Sequence, residues 1–128
     1  MILLDTSALV GSLGGHRPEL PVLRGWIEAG HTVGITALVL YEWRRGPRTG
    51  IEISSQQEYF PDVAALPFGP DEAELAAEFY RTLPRARARE FDFAIAACAI
   101  TREAALWTLN AEDFADIPGL KLARPDMG

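Results

Sequence analysis

MILLDTSALV, residues 1–10, decides how the chain is read. Ile2, Leu3 and Leu4 are apolar enough for a strand covered on both faces, and the run stops at Asp5. Thr6 and Ser7 suit the start of a helix that Gly11, Gly14 and Gly15 end early. A carboxylate at the end of a buried strand needs a partner, because burial of an uncompensated charge is costly. Two partners are open: the backbone N–H groups of the helix from Thr6 to Leu13, which Asp5 would cap, or a cation.

Outward from this stretch, strand and helix signals alternate. Pro18 to Gly30 reads as a helix with Leu20, Leu23 and Ile27 on one face, and Thr32 to Ile35 as a second strand. Thr36 to Arg45 is the next helix, closed by Gly46-Pro47. Residues 48–60 are polar and ambiguous, with Ser54 as a cap for a short helix. Val63 to Leu66 is the expected third strand. Pro70-Asp71-Glu72 opens an acidic helix running to about Pro84, and Phe91 to Glu103 is an Ala-rich helix. Ala105 to Leu109 gives a fourth strand and Leu120 to Leu122 a fifth. Short, nearly continuous apolar strands between helices predict a three-layer α/β/α sandwich around a short central parallel sheet.

The 128 residues fit one domain, residues 1–128, with no repeat or linker. A 48% hydrophobic and 23% charged composition is that of a globular chain. Cys98 is the only cysteine, which excludes an internal disulfide and a cysteine metal cage. It reads as a small buried hydrophobe. No signal-peptide pattern opens the chain, and no apolar stretch approaches the ~20 residues of a membrane span. The expectation is therefore a cytoplasmic protein. The net charge of −6 argues against nucleic-acid binding by bulk positive field. Its arginines are nevertheless grouped, as Arg44, Arg45 and Arg48 and again as Arg81, Arg85, Arg87 and Arg89. Such groups border an RNA groove, meet an acidic partner, or simply face solvent. Trp26, Trp43 and Trp107 read as core or interface residues.

Further acids stand where a core would not place them. Glu42, in ITALVLYEWRRG, has Leu38 and Val39 three and four residues back and so projects from the apolar side of its helix. Pairing with Arg45 is the plain alternative. Asp92, in REFDFAIAACAI, begins the stripe continued by Ile95, Ala96 and Ala99, near the positive end of the helix dipole. Asp113, in TLNAEDF, follows the last clear strand; there Asn110 capping a turn with Asp113 is the alternative. Two carboxylates ~4 Å apart repel by about 4 kcal/mol at an effective dielectric of 20. A cluster of them must take up protons or hold a cation, and carboxylate oxygens suit Mg²⁺ or Mn²⁺.

DTS after the first strand, the Glu in YEWRRG, FDFAIAACAI and WTLNAEDFADIPGLKL together resemble the PIN-domain ribonucleases. They are especially similar to VapC-type toxins of bacterial and archaeal toxin–antitoxin pairs, from residue 2 to about 122. The resemblance implies a PIN fold and metal-dependent endonuclease activity on RNA. It implies a cognate antitoxin as partner and a homodimer. Carried over by position, the catalytic and metal-binding acids are Asp5, Glu42 and Asp92, with Asp113 as fourth because Asn110 stands where many members carry an acid. Ser7 matches a hydroxyl near the first acid, and Ser7 and Asn110 are the expected supporting residues. The cofactor implied is Mg²⁺ or Mn²⁺, acidifying a water and stabilising charge on the scissile phosphate. The other reading is a PIN scaffold without chemistry that binds RNA or protein. His16 and His31 lie outside these motifs and are assigned no role.

Overall fold

The computed structural model describes residues 1–125; the last three positions of the expected domain lie outside the described residues. Among these residues, four parallel strands form one sheet: β1 (Ile2–Leu4), β2 (Val33–Gly34), β3 (Ala105–Trp107) and β4 (Lys121–Leu122), in the order β2-β1-β3-β4. In register, Ile2 faces Val33 on one side and Ala105 on the other, and Leu4 faces Trp107. The inner strands β1 and β3 carry Leu3, Leu4, Leu106 and Trp107, all buried, as a sheet covered on both faces demands.

Among the described residues, six helices flank it: α1 (Thr6–Leu13), α2 (Leu20–Glu28), α3 (Ala37–Arg45), α4 (Gly50–Tyr59), α5 (Pro70–Thr82) and α6 (Glu90–Thr101). The result is the expected α/β/α sandwich. The core joins Leu9, Leu13 and Leu23 to Val39, Trp43, Phe93 and Ile95, and Trp26 meets Trp107 edge-on at 4.8 Å between ring centroids. All three tryptophans and Cys98 are buried. No helix among the described residues is long and apolar enough to cross a membrane.

Several expected elements differ. Val63 to Leu66 is not a strand: Asp62–Ala64 is a 3-10 turn and Val63 is 98% exposed. Only Leu66 reaches the sheet edge, donating to the Ile35 carbonyl at 3.0 Å and accepting from the Ala37 N–H at 2.8 Å. Pro67 follows and has no N–H with which to extend the ladder. In α2 the buried residues are Leu23 and Trp26, three apart, while Ile27 is 42% exposed. The ambiguous stretch forms α4, capped by Thr49 rather than Ser54. The Thr49 hydroxyl accepts from the Glu52 N–H at 3.1 Å, and the Glu52 carboxylate accepts from the Thr49 N–H at 2.8 Å. That reciprocal pair satisfies two donors a helix start otherwise leaves open. The strand expected to end at Leu109 ends at Trp107, because Thr108 turns away to serve the site.

Candidate active site

The acids gather at the carboxyl ends of β1 and β3, where open parallel sheets form their clefts. Asp5 immediately follows β1 and is 5% exposed. Its Oδ1 accepts from the Ala8 N–H at 3.0 Å and from the Ser7 hydroxyl at 2.6 Å. Its Oδ2 accepts from the Thr108 hydroxyl at 2.7 Å. Asp5 is thus the N-cap of α1, the simpler of the two sequence readings, and is also tied to the end of β3. Ser7 is itself held, accepting from the Leu109 N–H at 2.9 Å, and Thr108 accepts from the Asn110 N–H at 3.0 Å. These two hydroxyls lock the carboxylate's orientation.

Glu42 comes from the last turn of α3. Its Oε1 accepts from the Thr6 hydroxyl at 2.6 Å, and its Oε2 from Arg45 at 3.3 Å, one helical turn on. The arginine pairing considered from the sequence is therefore present. Asp92 lies in the first turn of α6, half-buried, with Ile95, Ala96 and Ala99 below it in the core. No described residue donates a hydrogen bond to its carboxylate. Burial, and after it the charges of Asp5, Asp113 and Glu42, raise its pKa from 3.8 to about 6, against the opposing pull of Arg89.

Asp113 sits on the 3-10 turn Ala111–Phe114 beyond β3, pinned by the buried Phe114. Asn110 does not cap that turn with its side chain; only its carbonyl accepts, from the Asp113 N–H at 3.0 Å. The turn is fixed from elsewhere. Arg89, buried just ahead of α6, donates to the Asp113 carbonyl at 3.0 Å, to the Pro84 carbonyl at 3.1 Å and to both oxygens of Asp116. Arg89 therefore leaves the expected basic surface run and becomes an internal clip.

Thus Asp5, Glu42 and Asp113, from three separate segments, all act on Asp92. They do not form a closed cage: among the described residues no three His, Cys, Asp or Glu side chains converge as ligands of one ion. The sequence pointed to Thr6 only as a helix start and to Arg89 only as part of a basic run, and Thr108 was not singled out from it. A hydroxyl directly after a buried strand's end, opposite an Asp on the neighbouring strand, is the signal that would have found Thr108.

A PIN domain family model matches residues 2–120. Among solved structures, the chain resembles DNA-bound VapBC from Salmonella typhimurium, at 20% identity over 95% of this chain and 96% of that one, with a TM-score of 0.75. It also resembles a toxin–antitoxin complex from Klebsiella pneumoniae, at 23% identity over 98% of each chain and a TM-score of 0.74. FitAcB from Neisseria gonorrhoeae is similar at 22% identity over 98% of each chain and a TM-score of 0.72. At these identities the likeness establishes the fold. Comparison with curated protein sequences finds no match.

Proposed function

We propose that this chain, which belongs to the PIN-domain family, is a metal-dependent endoribonuclease and the toxin of a toxin–antitoxin pair. The observation carrying this reading is Asp92: a half-buried carboxylate without a hydrogen-bond donor, raised to about 6 beside three other carboxylates. Folding gains nothing from that arrangement, so a ligand of opposite charge is its reasonable counterpart. The donor set fits a hard cation. Mg²⁺ keeps several waters and engages only one or two carboxylates directly, so an open set of acids suffices where a closed cage is lacking. Asp5, Glu42, Asp92 and Asp113 are the residues that would hold it.

When bound, such a cation supplies charge stabilisation at a phosphodiester and an acidified water. The chain's own residues supply the rest. Thr108 and Ser7 fix Asp5, and Thr6 fixes Glu42, so these carboxylates need little reorganisation. Asp92 keeps its proton up to about pH 6 and above that stands as an anion among carboxylates, a charge that a bound cation would compensate. The named antitoxin complexes among the similar structures support an antitoxin as the partner that blocks this site. The homodimer rests on the family resemblance, and the cytoplasmic setting on the sequence pattern alone.

The decisive test is cleavage of RNA in Mg²⁺ or Mn²⁺ by the purified protein and by Asp5→Asn, which retains a capping side chain. Cleavage by the wild type and its loss in a folded Asp5→Asn protein supports the reading. The Glu42–Arg45 pair favours a second reading, a scaffold that binds without chemistry. Calorimetric titration with Mn²⁺ separates the two, since the scaffold gives no specific heat.

A further inference from the structure

Two aromatic side chains stand directly beside the candidate acids. Tyr41 precedes Glu42 on α3, and Phe91 precedes Asp92 on α6. Tyr41 is 55% exposed and Phe91 36%, and neither belongs to the hydrophobic core. Their rings nevertheless find each other across the two helices. The centroids lie 5.9 Å apart and the planes are only 13° from parallel. The Arg45 guanidinium lies 5.4 Å from the Tyr41 centroid and 5.6 Å from that of Phe91. The same guanidinium donates to Glu42.

Resting on the nuclease reading, we propose that Tyr41, Phe91 and Arg45 form a stacking platform for an unpaired base of the RNA substrate next to the scissile phosphate. Three observations carry this. The rings are exposed yet mutually ordered, so a flat face is preformed and little entropy is lost on binding. The guanidinium that lies against both rings also donates to Glu42, so a base on the platform lies within one side chain's reach of a candidate acid. Arg45 is half-exposed and adds positive charge to a chain whose net charge is −6, at the one place where a phosphate must approach carboxylates. Arg45 neutralises Glu42 in the free protein. Once a cation takes over that carboxylate, the guanidinium is available to a phosphate oxygen. Single-stranded nucleic acid is held in this way, by aromatic faces with arginine, because every base offers a π-face. Paired RNA hides those faces in its own stack, so the substrate class is single-stranded RNA or a loop. A shallow apolar wall of Leu38, Phe91 and Ala94 borders the platform, with Glu90 at its rim.

The test uses an unpaired RNA of about ten nucleotides, the same sequence closed in a hairpin, and a series with one abasic nucleotide at each position. Tyr41→Ala and Phe91→Ala should each raise KM about tenfold and change kcat less than about twofold, while Tyr41→Trp keeps KM. In the wild type an abasic nucleotide at one position should give the same loss, with no further loss in Tyr41→Ala. The hairpin should be cut poorly. Unchanged KM in both alanine variants, while Asp5→Asn abolishes cleavage, overturns the platform and leaves the nuclease. Variants that alter the protein's oligomeric mass in light scattering, with KM unmoved, also overturn it, because the rings then cover a protein surface. If the wild type cuts nothing, fluorescence anisotropy with the labelled oligonucleotide still decides. Binding weakened by Tyr41→Ala keeps the platform and discards the reaction, whereas binding indifferent to both rings discards the platform.

Discussion

Replacing Asp92 by Asn tests the site without any assumption about substrate. The carboxyl's pKa rises from 3.8 to about 6 on folding, first through burial and then through Asp5, Asp113 and Glu42. An acid with a raised folded pKa binds its proton more tightly when folded. Stability from this group is intact below the unfolded value, falls as pH climbs from 3.8 to about 6, and stays lost above it. The full shift corresponds to about 3 kcal/mol. Asp92 is partly open to solvent, and screening reduces this to about 1–2 kcal/mol. Asp92→Asn should therefore stabilise the cation-free protein by about 1–2 kcal/mol at pH 7.5, a rise in Tm of roughly 3–8 °C, and by almost nothing at pH 4. Thermal melts in EDTA at the two pH values measure it. Mn²⁺ should narrow the gap at pH 7.5 by stabilising the wild type selectively, and its affinity for the wild type should increase as pH rises through about 6. Equal melting of the two proteins at pH 7.5, or the same gain at pH 4, refutes the picture of Asp92 as a strained anion among anions.

Three further substitutions probe the supports. Arg89→Ala removes the clip joining Pro84, Asp113 and Asp116; with Asp116 partly exposed and able to hydrate, the loss should be about 2 kcal/mol, read from the urea midpoint. A loss below about 0.5 kcal/mol would show that the turn carrying Asp113 is held by Phe114 alone. Thr108→Val keeps shape but removes the donor to Asp5, and Mn²⁺ affinity measured by calorimetry should fall about tenfold. Thr49→Ala breaks the capping box of α4 and should lower stability by about 1 kcal/mol in denaturant titration, leaving Mn²⁺ affinity untouched.

The parts of the fold legible in the sequence are those where apolar pattern and punctuation agree. Ile2–Leu4, closed by Asp5, and the Ala-rich run after Phe91 leave few alternatives, and both appear as β1 and α6. Val63–Leu66 misled because four apolar residues look like a strand. The prolines at 61 and 67 leave room for only one bridging residue, Leu66. In α2 the misjudged residue was Ile27: Trp26, the bulkier neighbour, takes the core position against Trp107 and turns Ile27 outward. The candidate acids each left a weak mark in the sequence, Asp5 at a strand's end and Glu42 and Asp92 on apolar stripes, while Asp113 read equally well as part of a cap. The hydroxyls that hold them were not legible in that role, since Thr6 and Thr108 carry no periodic signal and meet Glu42 and Asp5 only through tertiary structure.

Asp5 also shows why the two readings of such an acid need not compete. As a cap it must accept from the start of α1, and as a site residue it must present charge to the cleft; a carboxylate has lone pairs enough for both. The division is visible atom by atom. Oδ1 takes the backbone donor and Ser7, while Oδ2 takes only Thr108. Capping fixes the group against rotation, and a carboxylate already immobilised loses little entropy when it gains a ligand. Under the proposed function, the helix start is therefore the device that would preorganise the site. Asp5→Asn should leave α1 capped while weakening Mn²⁺ binding, and Asp5→Ala should harm both, lowering stability by about 1 kcal/mol. If calorimetry and melts found the two variants equally destabilised and equally able to bind Mn²⁺, Asp5 would be a cap and nothing more.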